Sequence, residues 1–197
     1  MANKSKQAVR TESLRIRDAL TEQERGAYSL EIIQKLTSLT CYQEAEAVLT
    51  YVSFRSEVET LGLIRQAVSE GKHVFVPKVQ GQEMEFYRIT DLSKLQEGYR
   101  GILEPKAETG AFMQMESIPY TLLCMPGAAF DRKRRRIGYG GGFFDRYLER
   151  LAAYQEAGLL HLTAIALAYA CQVWEEIPWE SHDVQPDMIL TEQDIIM

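Results

Sequence analysis

The sequence predicts an α/β protein, a three-layer α/β/α arrangement around a mostly parallel sheet, on three observations. The runs "AVLTYVSF" (47–54), "YTLLCMPG" (120–127) and "LTAIALAY" (162–169) are short and continuously apolar, as strands covered on both faces must be. Segments of helical period separate these runs, which is the pattern of parallel strands joined by crossover helices. The chain has 197 residues, 46% hydrophobic and 25% charged, enough for one full core, so residues 1–197 are expected to form a single domain.

Each element has its own signal. Residues 6–39 read as two helices, the first with apolar Val9, Leu14, Ile16 and Leu20 among basic side chains. Thr21, followed three positions on by Glu24, is a capping box that opens the second. After the strand 47–54, "TLGLIRQAVSEG" is a helix closed by Gly71. "HVFVPKV" (73–79) is a strand, and "MEFYRI" (84–89) alternates like an edge or hairpin strand. Residues 91–118 are read as mostly loop. A helix follows over 142–157, with Phe144, Tyr147, Leu148, Leu151 and Tyr154 on one stripe facing the sheet, and "DMILT" (187–191) is a last short strand.

Composition narrows the function classes. The net charge of −6 argues against a dedicated nucleic-acid binder, which carries a basic excess. The longest apolar run, 164–171, is far below the ~20 residues of a membrane span, and the N-terminus has no apolar stretch of signal length. Cys41, Cys124 and Cys171 are odd in number and widely spaced, so buried free thiols are expected rather than a disulfide or zinc framework. The expectation is a soluble cytoplasmic monomer.

The chemistry concentrates in "MPGAAFDRKRRRIGYGGGFFDRYLER" (125–150), which runs from a strand through glycines into a helix. Ligands of such sheets bind beyond the carboxyl ends of the strands. Gly138, Gly140, Gly141 and Gly142 allow close backbone approach, and amides at a helix start favour an anion, most simply a phosphate. The spacing is neither the dinucleotide fingerprint nor a Walker loop, so a tight structural turn is the alternative. Arg136 adds a guanidinium fork matched to phosphate, whereas Arg132, Lys133, Arg134 and Arg135 are read as a solvated hairpin tip. Asp145, a carboxylate beside a phosphate loop, is a candidate magnesium ligand or a helix-dipole residue. No Ser-His or Cys-His pairing is evident, and His73, His161 and His182 lie in no motif.

Within the 125–150 stretch, residues 125–148 resemble the signature of the 5-formyltetrahydrofolate cyclo-ligase (methenyltetrahydrofolate synthetase) family. The matching features are the Pro-Gly, the Phe-Asp three residues on, the Arg-Ile-Gly, the spaced glycines, two aromatics and an aspartate. Weaker pieces fall in order along the chain: Lys6 and Arg10, "YVSFRSEVET", "VPKV" and "SHDVQPDMIL". The run "RKRRR" departs from the family's usual Gly-Asn turn. The resemblance implies a NagB/RpiA/CoA-transferase-like fold and the ATP- and Mg2+-dependent cyclisation of 5-formyltetrahydrofolate to 5,10-methenyltetrahydrofolate, releasing ADP and phosphate. ATP and a reduced folate are the implied partners. In that frame Lys6 and Arg10, one helical turn apart, clamp ATP phosphates. Arg136, Gly138, Gly140, Gly141, Gly142, Phe143 and Phe144 hold the triphosphate, with Gly140 to Phe143 also meeting the folate. Arg136, Tyr139 and Asp145 serve the reaction. Glu59 bonds the pterin, Phe54 packs on it and Tyr139 lines the folate side. Asp145 and Asp183 ligate magnesium, with Asp187 the rival for the second position. Sugar-phosphate isomerases and CoA transferases share the implied sheet type and remain an alternative.

Overall fold

The computed structural model describes residues 5–106, 110–114, 120–180 and 183–197. His182 and parts of the 91–118 loop fall outside these. The elements are helices α1 (Lys6–Asp18), α2 (Glu22–Ser38) and the short α3 (Thr40–Gln43), strand β1 (Ala47–Thr50), helix α4 (Leu61–Ser69), and strands β2 (His73–Gln80) and β3 (Glu83–Ile89). Strands β4 (Leu95–Glu97), β5 (Leu103–Pro105), β6 (Tyr120–Met125), β7 (Ala129–Asp131) and β8 (Arg136–Ile137) follow. The chain ends with α5 (Phe143–Glu156), β9 (His161–Leu167), β10 (Val173–Trp174), β11 (Met188–Leu190) and β12 (Ile195–Ile196).

Seven strands form the main sheet in the order β12-β11-β9-β6-β1-β2-β3. The five from β11 to β2 are parallel, and β12 and β3 pair antiparallel at the two edges. Successive strand residues serve opposite faces, which is why the runs are apolar without alternation. Val48, Leu122, Cys124 and Ile165 face α2 and α4, packing with Ile32, Leu36, Leu63 and Ile64. Ala47, Leu49, Leu123 and Ala166 face α5, packing with Tyr147, Leu148 and Leu151. These are the three layers the sequence predicts, and the Thr21–Glu24 capping box is formed in both directions.

Several expectations are corrected. The first strand stops at Thr50 instead of running to residue 54, because Thr60 Oγ1 donates to the Tyr51 carbonyl (2.7 Å) and the chain turns toward α4. The 91–118 segment contains the β4–β5 hairpin. Tyr154 is exposed at 40%, so the buried stripe of α5 ends at Leu151. The edge strand β12 had no sequence signal, being two residues long.

The segment between β6 and α5 is the feature that builds the site. It forms a hairpin of β7 and β8 that, with β10, makes a second three-stranded sheet. Asp131, fully buried, holds the turn: Oδ1 accepts the amides of Lys133 (2.9 Å) and Arg135 (3.1 Å), and Oδ2 that of Ile177 (3.3 Å). Helix α1 lies on this small sheet. Val9 packs with Ala129, Ile137 and Ile177, and Ser13 Oγ donates to the Ala128 carbonyl at 2.7 Å.

Candidate active site

The buried face of α1 is Val9, Ser13 and Arg17, at i, i+4 and i+8. Of the basic side chains flanking it, Arg10 points at the loop beyond β8. Arg10 Nε donates to the Gly138 carbonyl at 2.8 Å. A Cβ at Gly140 would stand 3.6 Å from the Arg10 guanidinium, and that residue adopts φ +97, which favours glycine. Thus Arg10 and the glycine loop, 128 positions apart, share one place. Gly142, in the left-handed region, precedes helix α5 without a side-chain cap, so the helix's first amides have no side-chain acceptor.

Lys6, one turn before Arg10, donates to both Asp183 oxygens (2.8 and 2.6 Å) and lies 3.1 Å from Glu180. Partial burial works against its charge, but the two carboxylates outweigh it and raise the ammonium pKa. Arg136 is buried, with Nη2 on Asp145 Oδ1 at 2.6 Å and Nη1 on the Pro126 carbonyl at 3.3 Å. Its Nε is buried and unpartnered among the described residues. The cation beside Asp145 is therefore Arg136, and that carboxylate does not cap its helix. The segment after Asp183 reaches Asp145, since the amide of Val184 donates to Asp145 Oδ1 at 3.3 Å, while the Asp183 carboxylate itself is taken by Lys6. Among the described residues no group of three or more His, Cys, Asp or Glu side chains gathers to hold a metal. Asp187 is engaged elsewhere: its Oδ2 accepts the Ala164 amide and its own amide donates to the Ala164 carbonyl, both at 2.8 Å, clipping the start of β11 to β9.

On the other side of the loop, Tyr139 is 43% exposed as a residue, with its hydroxyl turned inward to Arg17. Arg17 Nη1 donates to that hydroxyl at 2.6 Å. The hydroxyl also bonds the carboxylate of Glu57, whose Oε2 accepts the Phe54 amide at 2.9 Å. Burial raises the Glu57 pKa, opposed by the hydrogen bonds from Tyr139 and Phe54 and the charge of Arg17. Burial likewise pushes the Tyr139 phenol up, so it stays protonated. Glu59, the carboxylate expected from sequence, is exposed, and only its amide is held, by Ser29 Oγ at 3.0 Å. The inward carboxylate is Glu57, two positions earlier. The turn after β1 decides this, because Thr60 and Val58 point their groups at Tyr51.

The aromatic residues divide. Phe54 is half-buried, within reach of the turn at Gly101, and Phe143 meets Tyr99 edge-on with ring centroids 6.2 Å apart. Phe144, expected at the nucleotide, instead packs against Phe86 in the core (6.2 Å). Arg17 and Glu57 were missed by sequence reasoning. Extending the Lys6–Arg10 face by seven residues reaches Arg17, which was the available signal. The basic turn has partners throughout. Arg132 pairs with Asp194 (2.8 Å), Lys133 and Arg135 with Glu176 (3.2 and 3.0 Å), and Arg134 donates to the Asp187 carbonyl (2.8 Å). This turn fastens the hairpin to the C-terminal segment. No helix of the described residues is long and apolar enough to cross a membrane.

The geometry thus sets a buried arginine, a second arginine and a lysine around uncapped amides at the sheet's carboxyl ends, with a desolvated carboxylate and aromatic rings alongside. Such a site suits a polyanion next to a planar donor-rich ring. Comparison with known proteins agrees. The chain is 30% identical over 96% of its length to the 5-formyltetrahydrofolate cyclo-ligase of Mus musculus (95% of that protein), and 29% identical over 93% to that of Haemophilus influenzae (96% of that protein). The NMR structure of Aquifex aeolicus 5,10-methenyltetrahydrofolate synthetase superposes with a TM-score of 0.79 at 29% identity, covering 96% of this chain and 91% of that one. The Mycoplasma pneumoniae synthetase, at 24% identity and TM-score 0.72 over 96% and 99%, shares the fold. With the family model matching residues 2–192, this chain belongs to the 5-formyltetrahydrofolate cyclo-ligase family.

Proposed function

We propose that the protein closes 5-formyltetrahydrofolate to 5,10-methenyltetrahydrofolate, using ATP and releasing ADP and phosphate. The observation that carries this reading is the Arg10–Gly138 contact, which docks α1 on the glycine loop, with Arg17 of the same helix on the Tyr139 hydroxyl. A formamide is a poor electrophile. Transfer of the γ-phosphoryl group to the formyl oxygen makes that oxygen a good leaving group. The second folate nitrogen then attacks the formyl carbon, loses its proton, and phosphate departs with the former formyl oxygen. Such a reaction asks for positioning and cationic stabilisation more than for a protein nucleophile.

In this reading Arg136, Arg10 and Lys6 hold the phosphates with the amides of Gly138, Gly140, Gly141 and Gly142, and Lys6 exchanges Asp183 for a phosphate oxygen. Glu57, in place of Glu59, accepts the pterin N–H donors, while Phe54, Tyr139 and Phe143 line the ring. Magnesium would come as a nucleotide-borne ion held by Asp145, with Asp183 from the segment that reaches it through the Val184 amide, since one or two carboxylates with phosphates and waters are its usual shell. When bound, it neutralises charge on the phosphates. The protein is read as a cytoplasmic monomer without nucleic-acid or membrane partners.

The test is the near-ultraviolet absorbance of methenyltetrahydrofolate on mixing protein, ATP, magnesium and 5-formyltetrahydrofolate. A rise that requires ATP and matches ADP release is expected. No rise, with no ADP formed, overturns the reading and leaves an ATP-free activity such as sugar-phosphate isomerisation to be tried.

A further inference from the structure

Arg17 is a charge taken almost wholly out of water, at 5% exposure, on a helix whose other basic side chains reach solvent or the loop. Burying a guanidinium is costly unless its donors are satisfied and its charge is answered. Here Nε donates to Ser56 Oγ at 3.0 Å and Nη1 to the Tyr139 hydroxyl at 2.6 Å. The guanidinium also stands 5.6 Å from the Tyr139 ring centre, and Asp18 Oδ1 lies 3.7 Å from Nε while accepting from Ser56 Oγ. Three segments distant in sequence therefore meet on one side chain: α1, the turn after β1, and the glycine loop.

A phenol has one proton. With Arg17 donating to its oxygen, the Tyr139 proton is directed away from Arg17. Two acceptors are in reach, the Gly127 carbonyl at 3.4 Å and the Glu57 carboxylate. The charged acceptor makes the stronger bond, and 3.4 Å is long for a hydroxyl donor. The chain of donors thus runs from Arg17 to Tyr139 to Glu57. Glu57 also takes the Phe54 amide, which leaves part of its acceptor capacity for a ligand.

We infer that Arg17 is a positioning residue for the folate side of the site, fixing the Tyr139 hydroxyl so that Glu57 is held oriented and ionised toward the ligand. This deepens the proposed function and rests on it for the identity of that ligand. Around Glu57 the titratable groups are Tyr139 from the loop, Arg17 from α1, Tyr51 from the end of β1, and Tyr169, whose hydroxyl donates to the Glu57 backbone carbonyl at 3.1 Å. The three tyrosines are kept protonated by burial, so Arg17 is the charge acting on Glu57. Burial raises the Glu57 pKa and Arg17 opposes that rise, so removing Arg17 must raise it further.

The experiment compares wild type with Arg17→Met, Arg17→Lys and Tyr139→Phe in two arms. In the first, KM for 5-formyltetrahydrofolate, KM for ATP and kcat are measured from pH 5 to 9. Arg17→Met is expected to raise the folate KM about tenfold or more, the scale of one charge-assisted hydrogen bond, and to move the acid limb of kcat/KM to higher pH. The ATP KM should move less, Arg17→Lys should restore the acid limb in part, and Tyr139→Phe should add little to Arg17→Met. In the second arm, carboxyl NMR follows Glu57 against pH in ligand-free protein, where Arg17→Met should move its midpoint upward. An unmoved Glu57 midpoint, or a loss shared equally by ATP and folate with the acid limb in place, overturns the role of Arg17. Arg17→Lys keeps the charge and guards against a variant that fails to fold. The NMR arm needs no turnover, so it judges Arg17 even where wild type makes no methenyl product, a result that would sink the functional reading separately.

Discussion

Replacing Asp145 by asparagine probes the Arg136–Asp145 pair, and the structure makes the outcome asymmetric. The Arg136 side chain is 4% exposed and that of Asp145 32%, with 2.6 Å between Nη2 and Oδ1. Removing the carboxylate strands a buried cation whose Nε already lacks a partner and whose Nη1 bond to Pro126 is long. Breaking a fully buried pair this way costs about 3–5 kcal/mol. Asparagine keeps a neutral acceptor, and water reaches the Asp145 side, so Asp145→Asn should cost about 2–3 kcal/mol. Arg136→Met should cost less, about 1–2 kcal/mol, because the half-open carboxylate left behind is hydrated and keeps the Val184 amide. Urea denaturation of wild type, both single variants and the double variant measures the coupling, expected to exceed about 1 kcal/mol. Additive single effects, or an Asp145→Asn protein as stable as wild type, would refute the ion-pair reasoning and return Asp145 to the metal alone.

Arg10→Ala should weaken ATP binding in calorimetry by about 1.5–3 kcal/mol, the scale of a charge-assisted hydrogen bond, and change folate affinity much less; unaltered ATP binding would make α1 merely structural. Gly127→Ala places a methyl 2.4 Å from the fully buried Phe130 ring, which has no room to yield, and should lower stability by about 1–3 kcal/mol in urea. Asp187→Asn should reduce stability without shifting the magnesium concentration for half-maximal rate, since its carboxylate serves the Ala164 amide, whereas Asp183→Asn should shift it; the reverse pattern would exchange their roles. Glu57→Gln should abolish folate binding yet stabilise the protein near neutral pH. The folded pKa of Glu57 is raised, so its favourable contribution is full below the unfolded value and is lost as pH rises through the folded one. A glutamine, which has no charge to bury, should therefore gain relative to wild type as pH rises through that window in melts, and a gap constant with pH would contradict the assignment.

The sequence by itself determined the layers and pointed to where the candidate site lies. Non-alternating apolar strands between amphipathic helices can bury their surface only as a parallel sheet covered twice, and the glycines before α5 belong at its carboxyl ends. These are local properties, written in a few consecutive side chains. Tertiary structure alone decided which charges meet. Glu57 and Glu59 are chemically alike and two positions apart, and only the bonds of Thr60 and Val58 to Tyr51 turn the first inward and leave the second in solvent. Asp145 was legible as a carboxylate beside a glycine loop, but its partner depended on Arg136, the first residue of β8, being buried against it. Lys6 and Arg10 were legible as one face of a helix, yet the face extends to Arg17 because Val9 and Ser13 dock on the small sheet. Electrostatic partnership depends on distance and desolvation between segments far apart in the chain, and neither quantity is encoded in any one of them.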